Sequence, residues 1–269
     1  MAAVASLDRI TFGDRLRAWR MRRRLSQLQL SNEAGVSARH LSFVENGRAR
    51  PSAEMVLHLA EQLDVPLRDR NQLLLAAGYA PAFAERELDA PEMGPVREAI
   101  EQVLRGHEPY PALVVDRHHG LVSANRALAV LIAGVPEHIL EPPVNVLRLS
   151  LHPEGLAPRI VNLGEWRELM LSRLAREAVA SGDPALAALH NELAAYPDGE
   201  TGPGVDAAFG EIAVPFRLRH DDTELAFLST LTTFGTAVDV TLAELSIESF
   251  FPADEATAEA MRSLVNAGS

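Results

Sequence analysis

Apolar positions recur at helical spacing through the first 78 residues, and at alternating spacing towards the end of the chain. Phe12, Leu16 and Trp19 fall on one face of a helix predicted from Thr11 to Arg24. Ser26 is a good N-cap for a second helix ending at Gly35, and Ser37 for a third ending near Asn46-Gly47. Pro51-Ser52 opens a fourth, with Val56, Leu59, Ala60 and Leu63 on its apolar face, stopped before Pro66. A fifth runs from about Leu67 to Ala77 and ends at Gly78. The expectation for 1–78 is an all-α, five-helix domain.

Residues 79–95, "YAPAFAERELDAPEMGP", lack periodicity and read as a linker. A helix is expected from Val96 to Arg105, and then the texture changes. "ALVVD" and "LVSAN" flank "RHHG", the pattern of two strands around a turn. Arg126 to Ala133 returns to helix, and "VNVLRLSLHPEGLAPRIVN" looks irregular. "LGEWRELMLSRLAREAVASG" is a long amphipathic helix. Another starts at Asp183-Pro184 and runs to about Tyr196, and "PDGETGPGVD" reads as a loop. "EIAVPFRLRHDDTELAFLSTLTTF" alternates on both sides of "HDD", a hairpin signal. "DVTLAELSIESF" offers one more strand, and the last dozen residues a helix. Five strands with helices inserted after the second predict an α+β domain over 96–269 with an antiparallel sheet, compatible with a PAS-like order.

Composition narrows the chemistry. With 269 residues, 47% hydrophobic and 23% charged, the chain suits two soluble domains. No apolar run is long enough to span a membrane, and "MAAVASLDRITFGDRL" does not read as a signal peptide, so a cytoplasmic protein is expected. Cysteine and lysine are both absent, which removes thiolate metal sites, cysteine nucleophiles, Schiff-base lysines and P-loop lysines. The net charge of −12 is unevenly spread. Residues 1–80 hold twelve Arg against eight Asp and Glu, and the remainder thirteen against twenty-nine. An acidic protein with one basic end suits a polyanion at that end alone.

The basic end contains "SQLQLSNEAGVSARHLSFVENGRARPS". Gly35 supplies a tight turn between two helices. Val36, Leu41 and Val44 can pack the second helix on the first, which leaves Ala38, Arg39, Ser42 and Phe43 pointing outward. A core has no need of that outward set, whereas a helix entering a major groove does. Gln27, at the start of its helix, can donate to a phosphate. Asn46, Arg48 and Arg50 lie just past the reading helix, where the sugar–phosphate backbone would run.

Residues 12–78 resemble the Xre (Cro-like) helix-turn-helix domain of bacterial and phage repressors, a lambda-repressor-like fold. The carrying features are "SQLQLSNEAGVS", "HLSFVENGRARPS" and the five-helix spacing. The resemblance implies that Ser37, Ala38, Arg39, Ser42 and Phe43 face bases, with Gln27, Asn46, Arg48 and Arg50 nearer phosphates. It implies double-stranded DNA as a partner, read as an inverted-repeat operator by a homodimer. Ser31 stands where most members carry Ala, a harmless exchange. Phe43 stands where some repressors place a polar base reader, which leaves a thymine methyl or local packing as its contact.

"EPYPALVVDRHHGLVSANRAL", "LRLSLHPEGLAPRIVNLGEWR" and "STLTTFGTAVDVTLAELSIESFFPADEAT" resemble the C-terminal MltR-type ligand-binding domain of MmyB-like transcriptional regulators. The resemblance spans about 96–260 and implies a PAS-like fold that binds a small effector, an acyl-chain, fatty-acid-like molecule being one form. Read from the residues, the candidate apolar walls are Leu128, Trp166, Met170, Phe216, Phe227 and Phe234. Asn125, Arg159, Asn162, Ser229 and Thr232 are candidate polar anchors.

Catalytic signals are weak. The nine histidines are scattered, and only His118-His119 are adjacent, in a turn where solvent exposure is expected. No His or Glu spacing suits a metal, and no cofactor is implied. The reading is a ligand-responsive DNA-binding regulator and not an enzyme. The alternatives are a DNA-binding domain fused to an enzyme, or to a domain that only dimerises.

Overall fold

The computed structural model describes residues 10–197 and 213–267. Most of the expected "PDGETGPGVD" loop lies outside the described residues. The chain forms two compact units. Among the described residues, one holds those up to 86 together with 180–182 and 236–243, and the other those within 87–179, within 183–235 and from 244 onward.

In the first unit five helices follow the predicted order: α1 (Phe12–Arg22), α2 (Gln27–Glu33), α3 (Ala38–Glu45), α4 (Ala53–Gln62) and α5 (Leu67–Ala76). Local chemistry sets their ends. Thr11, Ser26, Ser37 and Ser52 each accept a backbone N–H in the first turn of α1 to α4. Gly35 leaves α2 at φ +62°, the left-handed conformation the turn requires. Leu16, Leu30, Leu41, Val56, Leu59, Leu63, Leu73 and Leu74 fill one buried core. Gly13 lies so close to α3 that a Cβ would overlap the Glu45 carbonyl.

The stretch read as a linker is partly anchored. Asn71 Oδ1 accepts the amides of Ala82 and Phe83, each at 3.0 Å, and Asn71 Nδ2 donates to the Phe83 carbonyl at 2.7 Å. Residues 79–83 therefore belong with α5.

The second unit carries α6 (Gly94–Gly106), β1 (Ala112–Val115), β2 (Leu121–Ala124), α7 (Leu128–Ile132), α8 (Val146–Leu151), α9 (Leu163–Ser181) and α10 (Pro184–Ala194). Then come β3 (Phe216–His220), β4 (Thr223–Thr233), β5 (Ser246–Pro252) and α12 (Glu255–Ala267); α11 (Val240–Ala243), between β4 and β5 along the chain, falls in the stretch grouped with the first unit. The five strands form one antiparallel sheet in the order β2-β1-β5-β4-β3. The α+β class expected from the sequence is the observed one.

The two faces of the sheet bury different partners. Ala112 and Val114 of β1 and Ile247 of β5 pack with Ile100 and Leu104 of α6. Leu113, Val115 and Phe250, one residue out of phase, join the main core beneath α7, α8 and α9. This explains why "ALVV" is continuously apolar: β1 is buried on both faces.

Three local readings differ. "VNVLRLSL" is not irregular but contains α8, which Asn145 caps by accepting the amides of Leu147 and Arg148. "DVTLAELSIESF" supplies its expected strand, β5, but a short helix precedes it: Asp239 accepts the amide of Thr241, and Val240–Ala243 turn as α11. The third concerns His118 and His119, expected to be exposed: His118 is half-exposed, but His119 is buried. Asp116 Oδ1 accepts the amides of His118 and Gly120, both at 2.8 Å, which tightens the turn. That places His118 Nε2 2.9 Å from Asp183 and His119 Nε2 2.8 Å from Glu177, with His119 buried.

Candidate functional site

The outer face of α3 is built from the inside. Glu45, the last residue of α3, has a fully buried carboxylate. Arg20 of α1 grips it with two donors, Nε to Oε1 at 2.7 Å and a terminal nitrogen to Oε2 at 2.9 Å. Gln27 Nε2 of α2 donates to Oε2 at 2.7 Å, and Arg17 Nε lies 3.5 Å away. One acid thus ties three helices. Burial alone would raise its pKa, but the Arg20 and Gln27 hydrogen bonds with the Arg17 charge hold it below the ordinary glutamate value.

With Leu41 and Val44 turned into the core, Arg39 is exposed and Ala38, Ser42 and Phe43 are half-buried. The Arg39 guanidinium lies over the Phe43 ring, 5.3 Å from its centroid. Ser37 is exposed and caps α3, its hydroxyl accepting the His40 amide at 3.1 Å. Asn46 receives Arg17 at 2.9 Å and donates to the Ser42 carbonyl at 2.8 Å. Arg48 is exposed. Arg50 is differently placed: it bonds the Ala77 and Gly78 carbonyls and stacks 5.1 Å over Tyr79. In this structure Gln27 and Arg50 therefore hold the fold, while Arg39 and Arg48 stand open to solvent.

In the second unit a cavity of about 50 Å³ lies between the sheet and α7, α8 and α9. Four residues expected from the sequence, Leu128, Trp166, Met170 and Phe216, line it. Trp166 and Phe216 are 4.8 Å apart by ring centroids, and Phe216 and Phe250 5.9 Å. Leucines and other aliphatic side chains of β1, β2, α7 and α8 complete the wall, and its two polar members are Ser150 and Glu248. Ser150 Oγ accepts the Trp166 indole N–H at 2.9 Å. This volume holds a few waters at most, so any larger occupant must displace side chains.

The other candidates do not line that cavity. Asn125 accepts the Ala112 amide and donates to the Leu104 and Tyr110 carbonyls, which joins α6 to β1. Arg159 donates to the carbonyls of Leu131, Ala133 and Arg219. Asn162 donates to the Pro215 carbonyl at 2.8 Å and receives the Arg217 amide. Phe227 is fully buried beside Phe250. Phe234 packs with the α6 cluster on the opposite face, and Thr232 is exposed. Ser229 hydrogen-bonds Glu248 from β4.

Sequence reasoning missed most of the lining, including its polar residues Ser150 and Glu248. Glu248 sits in a strand at the position opposite Leu113 and Leu231, so only the register reveals which wall it joins.

A helix-turn-helix unit with an exposed α3 face, followed by an α+β unit with an internal apolar cavity, has the two-part make-up of ligand-binding transcription regulators. Comparison with known proteins agrees. Residues 11–73 match a helix-turn-helix domain, and residues 96–264 match the MmyB-like transcription regulator ligand binding domain. The chain belongs to the MmyB-like transcription regulators: it is a DNA-binding regulator carrying that family's ligand-binding domain.

Among similar curated proteins is the HTH-type transcriptional regulator RghRB of Bacillus subtilis (strain 168), 38% identical over 104 residues. That match covers 38% of this chain and 66% of the relative. The HTH-type transcriptional repressor RghR of the same strain is 41% identical over 70 residues, 26% of this chain and 50% of its own length. The transcriptional regulator ClgR of Mycobacterium tuberculosis (strain ATCC 25618 / H37Rv) is 36% identical over 83 residues, 31% and 71% respectively. The chain thus spans about half to two thirds of the first two relatives. No helix among the described residues is long and apolar enough to cross a membrane.

Proposed function

We propose that the chain acts as a homodimer that reads an inverted-repeat operator with α3 and changes its affinity when a small apolar effector enters the second unit. The observation that carries the reading is the outer face of α3, where Arg39 is exposed on a helix whose inner face is fixed by the Glu45 contacts. Arg39 reads a guanine edge, Phe43 takes the neighbouring apolar surface, and Arg48 neutralises phosphate. One such domain reads few base pairs, and a two-fold dimer doubles the contact set.

The effector has a mainly apolar body, for which an acyl chain is suitable, because the cavity wall is aliphatic and aromatic with, among the described residues, two polar members. It acts by binding one dimer geometry better than another, which changes the spacing of the reading helices. α6 is the transmitter we favour: it follows the connecting stretch directly and packs Ile100 and Leu104 on the sheet. The negative charge after residue 80 keeps the second unit from phosphate.

The test begins with selection of a preferred DNA sequence by the full chain, followed by titration with wild type and Arg39→Ala. A preference that survives Arg39→Ala unchanged rejects α3 as the reader. Equal operator affinity with and without every molecule that co-purifies rejects the sensor.

A further inference from the structure

The cavity beneath the sheet has a direction. Trp166, Met170, Arg173 and Glu177 recur on one face of α9 at helical spacing. Trp166 and Met170 line the cavity. Arg173 and Glu177 pair at 3.0 Å, and together with His119 they act electrostatically on the lining acid Glu248. On β5, Glu248 and Phe250 both line the cavity, two positions apart. Beyond Phe250 the wall is aromatic: Phe216 lies 5.9 Å from Phe250 and 4.8 Å from Trp166 by ring centroids. One end is thus charged and the other is closed by rings. Two turns of α9, about 10 Å, separate Trp166 from Arg173. A molecule with a polar head and an apolar tail fits this axis with its tail towards Trp166.

At about 50 Å³ the cavity must widen to take a tail, so the wall residues that yield decide how long a tail enters. Met170 yields readily, being unbranched and free to turn about three bonds. Trp166 does not. It is buried, and its indole N–H donates to Ser150 Oγ of α8 at 2.9 Å. Turning the ring aside would leave a buried donor without an acceptor. Phe216, against which the indole rests, is fixed by the pairing of β3 with β4, opposite Phe227. We infer that Trp166 sets the longest tail the cavity accepts, and that Ser150 is the positioning residue that holds the indole across the aromatic end. The inference rests on the reading of this cavity as the effector site and names what selects among effectors there.

Straight-chain saturated fatty acids of about six to sixteen carbons differ only in tail length. Titrating the full-length protein with each, below the concentration at which micelles form, reads the limit directly. In wild type, affinity should rise about three- to fourfold per added carbon up to one length, and then fall about tenfold or more over the next two. Trp166→Phe should move that break to longer tails, and Trp166→Ala further still, by about two carbons or more. Ser150→Ala frees the indole without shortening it, so it should blunt the fall to about threefold and leave shorter tails within about threefold of wild type. Ser150→Thr keeps the acceptor and should restore the sharp break. A Ser150→Ala protein that weakens every tail alike gives Ser150 a merely structural role and overturns its part. A break at the wild-type length in both Trp166 variants, each shown to be folded by its melting transition, overturns the inference and leaves the effector site standing. So does a wild-type affinity that rises without a break through the whole series. Loss of every tail in a folded Trp166→Phe protein assigns the ring to affinity and not to length, and overturns it too. Binding of no tail by wild type rejects the effector site itself, and the inference with it.

Discussion

The Arg39 guanidinium lies 5.3 Å from the centre of the Phe43 ring, one helical turn further along α3. The aromatic face attracts the cation and restricts where it points before DNA arrives. Two residues that look like separate base readers in the sequence are thus one unit in the structure. Arg39→Ala is expected to weaken the preferred operator by about 1–3 kcal/mol and random DNA far less. Phe43→Ala should give a smaller loss on the operator, about 0.5–1 kcal/mol from the stacking alone. Competition titrations with the selected operator and a scrambled sequence measure both. A Phe43→Ala protein with unchanged discrimination would show that the stacking does not guide Arg39.

Arg48 serves as the contrast. It is exposed beyond the end of α3, where phosphate and not a base edge is expected. Arg48→Ala should weaken operator and random DNA alike, and reduce the slope of log affinity against log salt by roughly one. Loss confined to the operator would move Arg48 into the base-reading set.

Glu45 ties α1, α2 and α3 together through its buried carboxylate. Glu45→Ala leaves Arg20 without its buried carboxylate and frees Gln27, a change expected to cost about 3–5 kcal/mol of stability. Denaturant titration should show the loss in the helical unit, with the α+β unit unfolding at its usual concentration. A loss below about 1 kcal/mol would mean that Gly13 packing and the leucine core suffice to hold α3.

The same acid sets a pH dependence. Its folded pKa lies below the ordinary value of 4.5, so its contribution is present above the unfolded pKa and is lost as pH falls through the folded one. Stability of the first unit should therefore decline on acidification below about pH 4.5. Glu45→Gln should flatten that decline, and denaturation midpoints between about pH 6 and pH 3 decide it. A variant as acid-sensitive as wild type would assign the decline to other carboxylates.

A fragment of residues 1–86 should fold and contact DNA more weakly than the full chain, with no effector response. A fragment ending at residue 80 should be less stable, since it lacks the three Asn71 hydrogen bonds to Ala82 and Phe83. Thermal melts of the two fragments compare them directly. Equal melting would show that this anchorage adds nothing, and an effector response by 1–86 would place the cavity's role elsewhere.

Periodicity and capping chemistry made the five helices of the first unit legible. Thr11, Ser26, Ser37 and Ser52 act within one turn of themselves, and so does the left-handed Gly35. The alternation of β3 and β4 and the continuous apolar run of β1 were equally local signals. Short elements such as α8 and α11 escaped, because a helix of four to six residues presents too little of a period to stand out.

The wall of the cavity was legible only where a residue type already implied burial, as with Leu128, Trp166, Met170 and Phe216. Asn125, Arg159 and Asn162 have the chemistry of ligand anchors, yet each meets backbone groups 13 to 60 positions away. Gln27 and Arg50 likewise found internal partners 18 to 28 positions distant. Glu248 shows the converse: no spacing marks it, and only the pairing of β5 with β1 and β4 sets it opposite Leu113 and Leu231. The sequence by itself determined which segments coil and which extend, because those preferences act between neighbours along the chain. Which polar groups remain open to a ligand was decided by the tertiary structure alone, because a hydrogen bond is satisfied by whatever folding brings within about 3 Å.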